Sequence, residues 1–389
     1  MATTTVSGLA STASPVSNEL KVDMHKKVAM LDPETSQFST MLMKLPSNKA
    51  NSFKTEWLED LLLPRTSALA ASAASSDTAL TTTTSEGAYF RAGDIVRITT
   101  TGEAVRVTAT AASALTVVRG IGTVTAASSA SSATAGQLVI IGNVSAQGAT
   151  LPTALITQRT QNYNYTSIQR DAYRFTETAA ATDWYTGDIV EFERFKKAVE
   201  HKRGLENTLF FGARSYSAAT PPLHSSGGVA EFLASATNST SATTLDKGTL
   251  NDFMRTGLQY GSSNKVLFAA PIVVQVISEF LADNWVRAKP TERVWGAKVD
   301  AYISAIYGTD VPVVTKREWG GYGTGTGKYG SLAYLIDMEN VEYRPLRPTA
   351  YKPSRQANDA DETANEFITE FSFRLAREST HAKLTDVAG

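Results

Sequence analysis

The sharpest periodic signal in the chain lies between Asp188 and Phe211. Ile189, Phe192, Phe195, Val199, Leu205 and Leu209 recur there at helical spacing, while Glu193, Lys196, Lys197, Glu200 and Arg203 fall on other faces. The spacing predicts one long amphipathic helix, about 36 Å at 1.5 Å per residue, stopped by Gly212. A second pattern, with period two, runs through Ala364–Arg377. Phe367, Phe371, Phe373 and Leu375 share one face, and Glu370, Ser372 and Arg374 share the other. That alternation predicts a long strand buried on one side. Four shorter β-branched runs, Asp94–Thr99, Glu103–Thr108, Ala114–Arg119 and Gln137–Gly142, lie within residues 89–150, with Gly102, Gly120 and Gly122 between them. They predict a small antiparallel sheet or barrel packed on one side only.

Weaker patterns fill the remainder. Residues 1–18 are small and polar and read as a flexible arm, and Glu19–Met30 reads as a short helix. Residues 51–63 and 162–178 read as extended, the first ending at Pro64. The Ala/Ser/Thr stretch 66–88 reads as an exposed low-complexity loop. Helices are expected at 249–260 and at 271–285, where Pro271 suits a first turn. Strands are expected at 265–270, 298–306, 311–315, 331–337 and 341–344, and Gly320–Gly330 is a glycine-rich loop. This mixture is α+β, with no fixed-period repeat.

Composition narrows the function classes. With 42% hydrophobic and 19% charged residues, the chain is neither disordered nor a coiled coil. Lys+Arg of 37 against Asp+Glu of 38 lacks the basic excess of a dedicated nucleic-acid binder. Cys is 0, which removes disulfides, thiolate metal sites and a Cys nucleophile. The N-terminus has no basic and apolar signal-peptide regions. The most apolar stretch, 266–282, is interrupted by Pro271, Gln275, Ser278 and Glu279, so no membrane span or membrane partner is expected. Asn143, Asn164 and Asn238 head Asn-x-Ser/Thr triplets, which without a secretion signal carry no glycosylation reading.

The search for chemistry is thin. None of the four histidines, His25, His201, His224 and His381, lies three or four residues from another, so zinc-type spacing is missing. His201 sits among charges on the long helix and reads as a solvated side chain. No Gly-x-Ser-x-Gly elbow occurs. Gly327-Lys328 supplies half of a phosphate loop, but Tyr322 and Tyr329 occupy positions that require Gly and Ser/Thr. Glu56, Glu59 and Asp60 beside Trp57 form either a cation site or a solvated strand end, and Ca²⁺ loops need more oxygen ligands at fixed spacing. Lys196, Lys197, Lys202 and Arg203 could face nucleic acid, yet Glu191, Glu193, Glu200 and Glu206 are interleaved with them. Such mixing suits a solvated face or salt bridges between subunits. Trp319 and Tyr322, beside the glycine loop, are interface candidates. No enzyme, cofactor or metal is expected. The candidate subunit-interface residues are Trp57, Glu56, Glu59, Lys196, Lys197, Arg203, Trp319 and Tyr322.

The order of these parts resembles the major capsid proteins of tailed bacteriophages, whose fold is shared by herpesvirus floor domains and encapsulin shells. Local strings resemble one phage subfamily: Thr55-Glu56-Trp57-Leu58-Glu59-Asp60, Ala92-Gly93-Asp94-Ile95-Val96, Val117-Val118-Arg119-Gly120-Ile121-Gly122-Thr123, Asn162-Tyr163-Asn164 before Thr176-Glu177-Thr178, and Tyr343-Arg344-Pro345-Leu346-Arg347-Pro348. The resemblance implies an N-terminal arm (1–52), an extended E-loop (53–178) carrying a β insertion (89–150), and a peripheral domain (179–221) with its spine helix (188–211). An axial domain (222–338) and peripheral return strands (339–389) complete the division.

The resemblance further implies hexamers and pentamers of an icosahedral shell around double-stranded DNA, held by weak, non-specific contact. A scaffolding protein, a portal protein at one vertex and a decoration or cement protein would be its partners, with assembly in the bacterial cytoplasm. Some relatives link an E-loop Lys to a neighbour's Asn; no Lys lies between Lys54 and Lys196, so shells without covalent links are expected. The alternatives are an encapsulin-like compartment around a cargo enzyme, and a bacterial surface protein suggested by the Ala/Ser/Thr-rich region.

Overall fold

The computed structural model describes residues 36–130, 137–184, 188–234, 238–280, 285–287, 300–304 and 309–387. The helix expected over Glu19–Met30, and most of the 1–52 arm, lie outside the described residues. In chain order, α1 (Gln37–Lys44) and β1 (Lys54–Glu59) lead into β2 (Thr66–Ser67), β3 (Ala79–Thr81), β4 (Asp94–Ile98), β5 (Ala104–Ala111), β6 (Ala114–Ile121) and β7 (Leu138–Asn143). Next come β8 (Thr160–Tyr165), β9 (Ser167–Thr176), α2 (Glu177–Ala181), α3 (Ile189–Phe211), β10 (Ser215–Ser217), β11 (Leu223–Ser225), α4 (Val229–Phe232) and β12 (Ser239–Ser241). The chain continues through α5 (Lys247–Leu258), β13 (Lys265–Ala269), α6 (Pro271–Phe280), β14 (Trp285–Arg287), β15 (Asp300–Ser304) and β16 (Thr309–Thr315). It ends in β17 (Ala333–Asp337), β18 (Val341–Lys352), β19 (Glu362–Leu375) and β20 (Ala382–Thr385). Residues Leu58–Gln161 form one compact unit and the rest of the chain forms the other.

The larger unit is built on two sheets. One has seven strands in the order β12-β20-β17-β13-β16-β15-β14, and the other three in the order β18-β19-β9. A single apolar core spans both, with α1 and α3 contributing Phe38, Leu205, Leu209 and Phe210. Its centre is aromatic: the Phe38 ring lies 4.6 Å from Phe210 and 5.0 Å from Phe268, and Trp319 meets Phe210 edge-on at 4.9 Å. Two strands cross the expected divisions. β9, counted with the extended loop, pairs along its length with β19, and β20 joins β12 and β17 in the seven-stranded sheet.

Helix α3 forms where its periodicity places it. Asp188 caps it, its Oδ1 accepting from the backbone N–H groups of Val190 and Glu191 at 2.8 and 3.4 Å. Gly212 ends it for a packing reason. A Cβ there would stand 2.5 Å from the Ser226 carbonyl oxygen, and the Gly228 N–H donates to the Gly212 carbonyl at 2.7 Å. Only the second half of α3 is buried, beginning at His201, and Phe195 of the expected apolar stripe is 58% exposed.

β19 departs from the one-sided burial that its alternation predicts, since Glu370 and Ser372 are buried as well. The strand is central in its sheet, and arginines cover the carboxylates of its polar side. Arg170 reaches Glu366 at 2.5 Å, Arg355 reaches it at 3.1 Å, and Arg347 reaches Glu370 at 2.6 Å. Edge strand β18 shifts register between Pro345 and Arg347 and again before Ala350. Prolines cannot donate to the ladder, which confines them to such edges and irregularities.

The smaller unit is a six-stranded antiparallel sheet in the order β2-β7-β4-β5-β6-β3. All four expected runs form strands. A bridge between Leu69 and Thr82, just beyond the edge strands β2 and β3, brings the two edges together as in a barrel. Leu80, Phe90, Val96, Ile98, Val105, Val107, Leu115, Val117 and Leu138 make its core. The stretch 66–88 is not the exposed loop that its composition suggested. It supplies β2, β3 and the buried residues Ala68, Leu69, Ala73 and Leu80. Small side chains of this stretch, Ser67, Ala68 and Ala73, are buried there beside Leu69 and Leu80.

Candidate assembly surfaces and the ties behind them

The sequence-selected interface residues divide into two groups. Trp319 is 1% exposed among Phe210, Phe211 and Tyr334, so it belongs to the core of its own chain and not to a surface. The neighbouring glycines do not expose it, because the Arg317–Tyr322 turn buries the ring. Trp57 is also buried, its ring 5.8 Å from Phe232 and covered by the Arg374 guanidinium at 6.0 Å. Tyr322 is half-buried, donating to Glu318 Oε1 at 2.8 Å and accepting from Asn207 at 3.1 Å.

The charged candidates are mostly paired within the chain. Glu56 holds Lys54 at 2.5 Å, and Lys197 holds Glu200 at 2.5 Å. Lys196 lies 3.8 Å from Glu193. Arg203 reaches Glu318 at 2.7 Å and so ties α3 to the turn that buries Trp319. Burial acts to raise the Glu318 carboxyl, but its hydrogen bonds with Arg203, Tyr322 and Asn207 hold it below its ordinary value. Glu59 is half-buried, and its carbonyl accepts from the Thr160 hydroxyl at 3.3 Å. The neighbouring Asp60 accepts from Thr157 at 3.0 Å. Among the described residues, no group of three or more His, Cys, Asp or Glu converges to hold a metal, and no helix is long and apolar enough to cross a membrane.

Several structural polar groups lay beyond local reading. His201 is buried, not solvated: Nδ1 lies 2.6 Å from Asp171 Oδ2, and Nε2 lies 2.7 Å from Thr369 Oγ1. Glu206, one of the interleaved charges, is buried in an ion pair with Lys316 at 2.5 Å. It also accepts from the N–H groups of Phe38 and Ser39 at 2.8 and 2.7 Å, and so caps α1 from α3. Lys265 is buried and donates to the Gly257, Tyr260 and Thr380 carbonyls; burial pushes its ammonium down to about 8. Asn164 spends its side chain on five contacts. It donates to Ser226 Oγ, Gly227 O and Phe373 O at 3.1, 3.0 and 2.6 Å, and accepts from Tyr165 N and Gly227 N at 2.9 and 2.8 Å.

The smaller unit has its own tie. Glu103 is fully buried and meets Arg119 in a two-pronged pair, Nε to Oε1 at 2.8 Å and Nη2 to Oε2 at 2.7 Å. Glu103 also accepts from Gly120 N and Ala127 N, while Arg119 donates to the Ala74, Asp77 and Ala127 carbonyls. Four chain segments therefore meet at one charge pair. The Arg119 hydrogen bond holds the Glu103 carboxyl below its ordinary value despite burial.

The smaller unit also leaves large apolar side chains exposed. Leu58, Leu61, Leu62, Leu151 and Ile156 all stand largely in solvent, Leu62 at 93%. Exposed leucines in such number mark surfaces that a partner covers.

Several solved structures of similar fold come from phages. The chain matches one from Mycobacterium phage Ogopogo with a TM-score of 0.52 and 11% identity, covering 98% of this chain and 100% of that one. It matches one from Gordonia phage Cozz at 0.50 and 11%, covering 100% of each. It matches the capsid of Myoviridae phage XM1 at 0.50 and 8%, covering 95% and 98%. No curated protein matches. The fold is therefore that of phage capsid proteins, as the resemblance implied. The sequence profile of the SU10 major capsid protein family matches residues 2–388, and the chain belongs to that family. It is a capsid shell protein: its role is structural, its working partner is further copies of itself, and its place is the virion capsid.

Proposed function

We propose that the chain tiles hexamers and pentamers of an icosahedral shell that encloses double-stranded DNA. Assembly proceeds in the host cytoplasm with a scaffolding protein, a portal occupies one vertex, and a decoration protein can sit on the finished surface. The observation that carries this reading is the family match over residues 2–388. Exposed leucines support it, since one sequence that repeats heterologous contacts around closed symmetry buries such surfaces without further partners. A formal net charge of −1 suits a container that holds DNA without gripping it, because each Lys/Arg–phosphate contact adds affinity.

In this reading, the arm is 1–52, the E-loop is 53–178 with its insertion at 89–150, the axial domain is 222–338, and the peripheral domain is 179–221 with 339–389. β9 and β20 go with the sheets they pair with. Lys196, Lys197, Glu56, Glu59, Arg203 and Tyr322 remain candidates for contacts between subunits, whereas the buried Trp57 acts from beneath. Subunits hold together without covalent links: Lys54, at the base of the E-loop, is paired with Glu56, and no further lysine occurs before Lys196. The test is the content of purified particles. Nuclease-protected double-stranded DNA is expected, and particles that hold a cargo enzyme and no DNA would refute the reading in favour of a protein compartment.

A further inference from the structure

Two apolar surfaces of the chain carry opposite charge at their margins. The first is a cavity of about 460 Å³ between α1, α3 and the β18–β19 pair, within the range of pockets that enclose a ligand. Met43, Ala198, Leu205 and Phe367 give it an apolar lining, and the exposed Lys44 and Lys202 bring positive charge to it. The second is the segment that follows β1. Leu58, Leu61 and Leu62 are 60, 69 and 93% exposed, Pro64 ends the run, and Glu59 and Asp60 sit between the leucines. Residues 60–64 lie outside the ladders and run as a strap between β1 and β2, with Asp60 accepting from Thr157 at 3.0 Å and lying 3.8 Å from Arg159.

We propose that the Leu58–Leu63 strap of one copy seats its leucines in the α1–α3 cavity of a neighbouring copy, with Glu59 and Asp60 against Lys44 and Lys202. The proposal rests on the shell reading and names one of its contacts. The occupant is a second copy because self-assembly is the chain's established behaviour and the strap carries both features the cavity selects. Apolar bulk fills the lining, and paired acidic charge answers two lysines in an orientation that fixes register. His201, held by Asp171 and Thr369, gives the cavity one rigid wall.

The absence of cysteine makes the test clean. Leu62→Cys and Met43→Cys chains are made separately, co-assembled into mixed shells and oxidised. A disulfide-linked dimer on a non-reducing denaturing gel is expected from mixed shells and not from either variant alone, since the sulfur atoms can join only when the two Cα atoms lie within about 7 Å. Hydrogen exchange on the unmodified chain covers the case in which a variant fails to assemble. Amides in 58–63 and 198–205 should slow at least tenfold on going from dissociated subunits to shells. Normal shells with no mixed disulfide, or with unchanged exchange in either segment, overturn the pairing and leave the shell reading standing. Failure of the unmodified chain to form shells at all takes down both.

Discussion

Removing Arg119 should unfasten the smaller unit. Arg119→Ala leaves Glu103 buried with its charge opposed only by the N–H groups of Gly120 and Ala127, and frees the carbonyls of Ala74, Asp77 and Ala127. Breaking a buried pair by deleting one partner costs about 3–5 kcal/mol. Domains of about 100 residues have total stabilities of about 5–15 kcal/mol, so much of the margin goes. Hydrogen exchange in the full chain reads this locally: amides in β4 to β7 should exchange at least 100-fold faster, since each 1.4 kcal/mol is a factor of ten. Arg119→Met combined with Glu103→Leu removes both charges, and should recover at least half of the loss. Two results would refute the reasoning: unchanged exchange in Arg119→Ala, or a double variant whose loss equals the sum of the singles, which would mean the pair has no coupling.

The same carboxylate sets a pH dependence. Its folded pKa is lowered from 4.5, so its stabilisation is complete above about that pH and lost as pH falls through the folded value; proteolysis within 58–161 should rise on acidification in the unmodified chain and change less in Glu103→Gln. Glu206→Ala should cost about 3–5 kcal/mol by stranding Lys316 and two amides, read as faster exchange at α1, and unchanged α1 protection would contradict the capping role. Asn164→Ala should cost about 3 kcal/mol or more, measured by thermal unfolding, because buried groups on both sides lose partners. Mature particles boiled in denaturant should run as single subunits, and a ladder of linked subunits would refute non-covalent assembly.

Local chemistry wrote the elements plainly. Helix α3 follows from its period, its Asp188 cap and Gly212, and β4 to β7 follow from β-branched runs between glycines. The order of the parts, together with short strings, was enough to point to a capsid family. What escaped was burial decided across long sequence distances. Glu206 meets Lys316 more than a hundred residues away, and His201 is claimed by Asp171 and Thr369 on two strands, so neither can be told from a solvated charge by its neighbours in sequence. Ala and Ser at 66–88 look like linker, yet Ser67, Ala68 and Ala73 are buried through pairings and contacts with strands far along the chain. Trp319 shows the converse, since flanking glycines suggest exposure while the turn they permit drives the ring inward. Arg119 lies in a run that resembles the phage subfamily, whereas its partner Glu103 carries no mark beyond a charge at a strand start.

Electron microscopy of the full chain co-expressed with its neighbouring genes, after sizing by gel filtration, tests the central claim most directly. Closed icosahedral shells, or rings of five and six subunits, are the predicted result. A compact monomer under every condition, with no rings even when a scaffold is present, would contradict it.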